Sequence, residues 1–217
     1  MMQRLALAVI LLLGGAIPTF ATLVFDAATL GIAGDGPFTI AHTPVGTPRC
    51  VLVVSVAAGT VDDNITGVTY GGVALTEVAG SPLTKGTGEL AVTHTFVLGS
   101  AIPTGTQNAV ISGAGLGGTT QNMVLTATGA ADCEVDDTST LSSDAVANPT
   151  LTINTTASTN TWIVGVGFFG VPDAIDLAPG VDYTSLAEHD FSARLIAVSR
   201  RTSNGSGGNI TMDWVAV

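Results

Sequence analysis

Residues 50–78 read CVLVVSVAAGTVDDNITGVTYGGVALTEV, and this stretch decides the fold class. Val51-Leu52-Val53-Val54 is apolar on both sides of an extended chain, the mark of a central strand covered on both faces. The polar cluster around Asp62-Asp63-Asn64 closes that run, and a second β-prone run follows over 65–70. Gly71-Gly72 then supplies two residues that tolerate positive φ, so the chain reverses in a two-residue hairpin and returns from Val73.

The same punctuation continues in both directions. Apolar runs of five to nine residues alternate with Gly, Pro, Asn and Asp clusters, predicting strands near 22–28, 37–43, 50–57, 65–70, 73–79, 89–98, 107–113, 122–129, 150–156, 161–169, 181–187, 192–201 and 209–216. Only the N-terminus offers a helical stripe. The fold class is therefore all-β: a single antiparallel β-sandwich, Ig-like or jelly-roll-like, of about 10–13 strands over residues 22–217. Within 89–98, Leu90, Val92, His94, Phe96 and Leu98 share the side expected to face the core. Within 161–169, Trp162, Val164, Val166 and Phe168 share a face, while Gly165 and Gly167 flatten the other. A weak echo between Val51–Gly59 and Trp162–Gly170 suggests two equivalent central strands. The last strand groups Ile210, Met212, Trp214 and Ala216, and is expected to run to the end of the sequence.

Residues 1–21 read differently. Arg4 precedes the uncharged run Leu5–Ile17, and Pro18-Thr19-Phe20-Ala21 ends in a small residue. This is the pattern of a secretory signal, and the run is shorter than the ~20 residues a membrane helix needs. The expectation is an extracellular or secreted protein, touching a membrane only if the segment stays uncut as an anchor. Export makes two readings of Cys50 and Cys133 physical: a disulfide closing a loop of roughly 80 residues, worth on the order of 4 kcal/mol, or a pair of buried thiols.

Composition removes several functions. Six Lys+Arg stand against 17 Asp+Glu, a net charge of −11, which argues against nucleic acid because phosphate binding takes clustered basic residues. Hydrophobic residues make up 46% and charged residues 11%, which excludes disorder. The aromatic share is 5%, with 2 Trp and 2 Tyr, too few for a sugar-stacking cleft to be the leading reading. HExxH, GxSxG and phosphate-loop motifs do not occur. His94 lies on an apolar strand face, as a hydrogen-bonded core histidine would. His189, between Glu188 and Asp190, reads as part of a solvated loop. The four glutamates Glu77, Glu89, Glu134 and Glu188 form a glycosidase pair only if the fold brings two of them together. The densest acidic group is Asp132, Glu134, Asp136 and Asp137, in the polar linker 132–149. Such oxygen ligands suit Ca²⁺, the one cofactor the sequence suggests, but the spacing does not match the DxDxDG loop, and a solvated acidic loop is the leading account. Four sequons begin at Asn64, Asn154, Asn204 and Asn209 and matter only in a glycosylating host.

The segment Cys50–Val78 resembles a β-sandwich module of bacteriophage structural proteins and of some secreted bacterial surface proteins. An apolar LVV.V strand, here Leu52–Val56, and a VTYGG.AL hairpin, here Val68–Leu75, carry the likeness. Phe25-Asp26-Ala27-Ala28-Thr29 and Ile102-Pro103-Thr104-Gly105-Thr106 resemble the module's first strand and a later connection, so the likeness spans about residues 22–113. It implies a non-enzymatic structural or adhesive building block, of a virion or of an extracellular surface. The alternatives are a secreted module binding a surface glycan or other ligand and, behind it, a secreted hydrolase. Lys85 is the only lysine. Exposed strand edges are commonly guarded by lysine, so the expectation is that copies of this chain, or other structural subunits, cover the edges.

Overall fold

The computed structural model describes residues 5–14, 23–32, 36–58, 64–85, 90–113, 119–129, 134–143, 150–155, 162–170, 183–191, 194–202 and 208–213. All regular structure among them is extended. In chain order the strands are β1 (Leu5–Gly14), β2 (Val24–Ile32), β3 (Phe38–His42), β4 (Pro48–Ala58), β5 (Ile65–Tyr70) and β6 (Val73–Ala74). They continue as β7 (Thr76–Glu77), β8 (Leu83–Lys85), β9 (Ala91–Leu98), β10 (Gln107–Gly113), β11 (Thr119–Thr128) and β12 (Glu134–Ser143). The last are β13 (Thr150–Thr155), β14 (Trp162–Gly170), β15 (Tyr183–Phe191), β16 (Arg194–Thr202) and β17 (Gly208–Asp213). The chain divides into two compact units, one of Gly15–Thr84 with Leu90–Cys133 and one of Met1–Gly14, Lys85–Glu89 and Glu134–Val217.

The first unit is a two-sheet antiparallel sandwich. One sheet runs β2-β11-β4-β9-β7, with β8 also on β9, and the other β3-β10-β5-β6. Their facing sides share one apolar core: Val51, Val53, Phe96, Leu98 and Val124 from the first sheet meet Phe38, Ile40, Val68, Tyr70, Ala109 and Ile111 from the second. The expectation for Val51–Val54 holds, because all four are buried, and β4 lies between β11 and β9. Of the β9 side expected to face the core, Val92, His94, Phe96 and Leu98 are buried, but burial does not alternate, because Ala91, Thr93, Thr95 and Val97 on the other side are buried as well. The turn at Gly71-Gly72 has φ of +56° and +83° and joins Tyr70 to its partner Val73, a hairpin of the anticipated kind.

In the second unit a five-stranded sheet runs β12-β1-β14-β16-β15, and β13 pairs β17. β14 is flanked by β1 and β16, so it is central in its sheet as β4 is in its own. The apolar segment Leu5–Gly14, read as the heart of a signal, is in the intact chain the strand between β12 and β14. An unbroken apolar run suits a strand with neighbours on both sides as well as it suits an export signal. Two expectations require correction. Glu134–Ser143, read as linker, is a strand, and His189, read as loop, lies within β15 opposite Ile196. Both are polar sequences held extended by backbone pairing to a neighbour, which hydropathy does not report. Trp214 and Ala216 lie outside the described residues.

Candidate functional site

Two histidine-centred clusters gather ionisable side chains of the sandwich. The first begins at a bulge. The β2–β11 register slips between Thr126 and Ala127, where Ala27 and Phe25 are their partners and Asp26 is the extra residue. A bulge re-aims a side chain, and Asp26 meets Thr126 and the turn after β3. Thr126 Oγ1 donates to Asp26 Oδ2 at 2.9 Å, Val45 N–H to Oδ2 at 3.1 Å and Gly46 N–H to Oδ1 at 2.8 Å. His42, fully buried at the end of β3, places Nε2 3.0 Å from Thr126 Oγ1 and Nδ1 2.8 Å from Thr29 Oγ1.

Proton counting orders this chain of contacts. A carboxylate only accepts, so the single Thr126 hydroxyl proton points at Asp26. His42 Nε2–H must then donate to Thr126, and in the neutral ring that burial favours Nδ1 accepts from the Thr29 hydroxyl, so both nitrogens are engaged. Burial lowers the His42 pKa from its ordinary 6.5, with Asp26 pulling the other way. The Tyr70 ring packs edge-on against His42 at 6.1 Å, and burial, then Asp26, pushes its phenol up to about 12. In a nucleophilic triad the acid orients the base and the base takes the hydroxyl proton. Here the hydroxyl stands between acid and base and donates its hydrogen bond to the acid, and the contacts join β2, β3, β11 and the 43–47 turn.

The second cluster closes a sheet edge. Glu77 Oε1 accepts from Ser81 Oγ at 2.7 Å and from His94 Nδ1–H at 2.9 Å. Ser81 Oγ accepts from Thr95 N–H at 3.0 Å, and Val78 N–H donates to Thr95 O at 2.9 Å. Residues 78–81 thereby pair both backbone groups of Thr95 between the short strands β7 and β8. His94 is buried, lies parallel to the Phe96 ring at 6.1 Å and is the hydrogen-bonded core histidine expected of it. Behind it, Ser55 stands opposite His94 and Asn122 opposite Ser55, a buried polar row across β9, β4 and β11.

No protein family, no curated protein and no solved structure matches this chain. Its chemistry is therefore read from its own residues. Asp132 lies outside the described residues, and Glu134, Asp136 and Asp137 fall on β12, where the register slips so that Asp136 and Asp137 stand opposite Leu12. Among the described residues no group of three His, Cys, Asp or Glu side chains gathers as a metal site. Cys50 is disulfide-bonded, and Cys133 lies outside the described residues. Of the four glutamates, Glu77 is engaged with Ser81 and His94, Glu134 and Glu188 lie on β12 and β15, and Glu89 is outside the description. Sequence reading placed Asp26 only in the resemblance over Phe25–Thr29 and marked no role for Thr126, Ser55 or Asn122. Asp26 carried a signal, as the sole charge in the otherwise uncharged Val24–Ile32.

Proposed function

We propose that the chain is a non-catalytic structural or adhesive β-sandwich subunit, carried out of the cytoplasm by its N-terminal segment and built into an extracellular surface assembly or a virion. One observation carries this reading: the outer strands of the sandwich are nearly bare of basic guards. β2, β3, β6 and β7 contain no lysine or arginine, and Lys85 ends β8. Unpaired edges of this kind recruit further strands, so a partner chain is the natural cover. Support also comes from the two histidine clusters, whose hydrogen bonds join strands and close an edge, as a load-carrying scaffold requires. The resemblance around Leu52–Val56 and Val68–Leu75 points the same way.

Two measurements test the proposal. Multi-angle light scattering of the full chain at high concentration should show self-association, or association with a co-purifying structural subunit; a monomer without partner overturns the assembly reading. N-terminal sequencing of protein recovered from the producing cell should begin at Thr22, and a start at Met1 or Met2 overturns processing as an export signal.

A further inference from the structure

The two sides of the larger sandwich sheet are finished differently. On the β9 side, β7, β8 and the 78–81 turn occupy the edge, and the turn pairs both backbone groups of Thr95. On the other side, among the described residues, β2 pairs with β11 alone. β2 has nine residues, about 30 Å of extended chain, with neither proline nor a basic residue. The outer strands of the second sheet are less open: β6 has two residues, and the five of β3 are bracketed by Pro37 and Pro44.

Exposed apolar surface converges on the same strand. Among the described residues three large apolar side chains are exposed: Val24 at 50%, Leu30 at 40% and Val45 at 88%. Val24 and Leu30 belong to β2, and Val45 stands on the turn that the Asp26 carboxylate fastens to β2. Asp26 is the only charge on the strand, and its oxygens already accept three hydrogen bonds within the chain. The bulge at Asp26 twists the first part of the strand and leaves Ala28 to Ile32 in regular register.

We infer that the open edge of β2, with the Val45 turn beside it, is the docking surface for a second copy of this chain, joined by antiparallel pairing of β2 with β2. The inference rests on the assembly reading above and names its contact. A two-fold axis presents the same surface on both partners. An uncharged segment such as 28–32 meets itself without opposing like charges, apolar side chain against apolar side chain, although the chain carries −11 overall. A partner chosen by charge would find no free ionic group on this strand.

The test is analytical ultracentrifugation of the full chain beside Ala28→Lys, Leu30→Lys and, as a control at an exposed position of a strand paired on both sides, Asn108→Lys. The expected result is an oligomer that both β2 variants reduce to monomer by at least tenfold weaker association, with the circular dichroism spectrum unchanged and the control still assembled. Amide exchange on the unaltered chain gives a second reading that needs no variant to fold: amides within 28–32 should gain protection as concentration rises. If the unaltered chain assembles while the β2 variants assemble equally and the 28–32 amides are insensitive to concentration, the β2 contact is overturned and the assembly reading stands. If the unaltered chain is monomeric throughout, the β2 contact is overturned, and the assembly reading falls with it when no structural subunit co-purifies.

Discussion

Tyr70 and His42 sit against each other in the sandwich core, and each shows how a buried polar group is tolerated. The Tyr70 hydroxyl is buried and makes no hydrogen bond among the described residues, so it adds desolvation without a compensating partner. Tyr70→Phe is expected to leave the urea midpoint unchanged or raise it, whereas loss of a hidden hydrogen bond would lower the midpoint, at a cost of about 1 kcal/mol in unfolding free energy. His42 behaves in the opposite sense because both of its nitrogens are used. Its folded pKa lies below 6.5 while the unfolded chain takes up the proton near 6.5. Below that pH the unfolded state binds the extra proton, so stability falls as pH drops from 6.5 toward the folded value and then levels. Among the described residues, Asp26 and Tyr70 are the ionisable groups facing the ring. Denaturation curves between pH 7 and pH 5 should show this loss, and His42→Gln should flatten it while lowering stability at pH 7.

At the level of elements, the Gly71-Gly72 hairpin was legible because two positive φ angles in succession leave few residue choices. Its two glycines are nevertheless unequal, which no sequence pattern reveals. A Cβ on Gly71 would stand 2.7 Å from Gln107 Oε1 and 2.8 Å from Pro103 Cγ, while one on Gly72 would meet nothing within 4 Å. Both substitutions place alanine in the left-handed region at about 1 kcal/mol. Gly71→Ala should cost more than Gly72→Ala in chemical denaturation, because it also displaces the Pro103 ring and the Gln107 side chain that donates to Thr104 O. Strands with apolar alternation or apolar runs, such as β4, β5 and β10, were readable within a residue or two, since burial on one or both faces writes itself into hydropathy. β12 and the later part of β15 were not. Their Ser, Thr, Asp, Glu and His residues carry no such imprint, and what holds them extended is the backbone of β1 and β16.

For the whole molecule, the covalent constraint is open to a direct chemical check. The chain has 2 Cys, and Cys50 is disulfide-bonded. Alkylation in denaturant should add no group before reduction and two after it by intact mass, and reduction should lower the thermal midpoint. At this scale the sequence by itself determined the all-β class, the hairpin, the doubly covered β4 and the histidine at position 94 as a core residue. Each of these follows from a local property: period, φ tolerance or hydropathy. Only the tertiary structure decided that Asp26 reaches Thr126, 100 residues away in sequence, or that a threonine hydroxyl stands between an acid and a histidine. It also decided which sheet edge is closed from within and which is open. Those outcomes depend on which strands become neighbours, a choice made by pairing across the whole chain that no local pattern encodes.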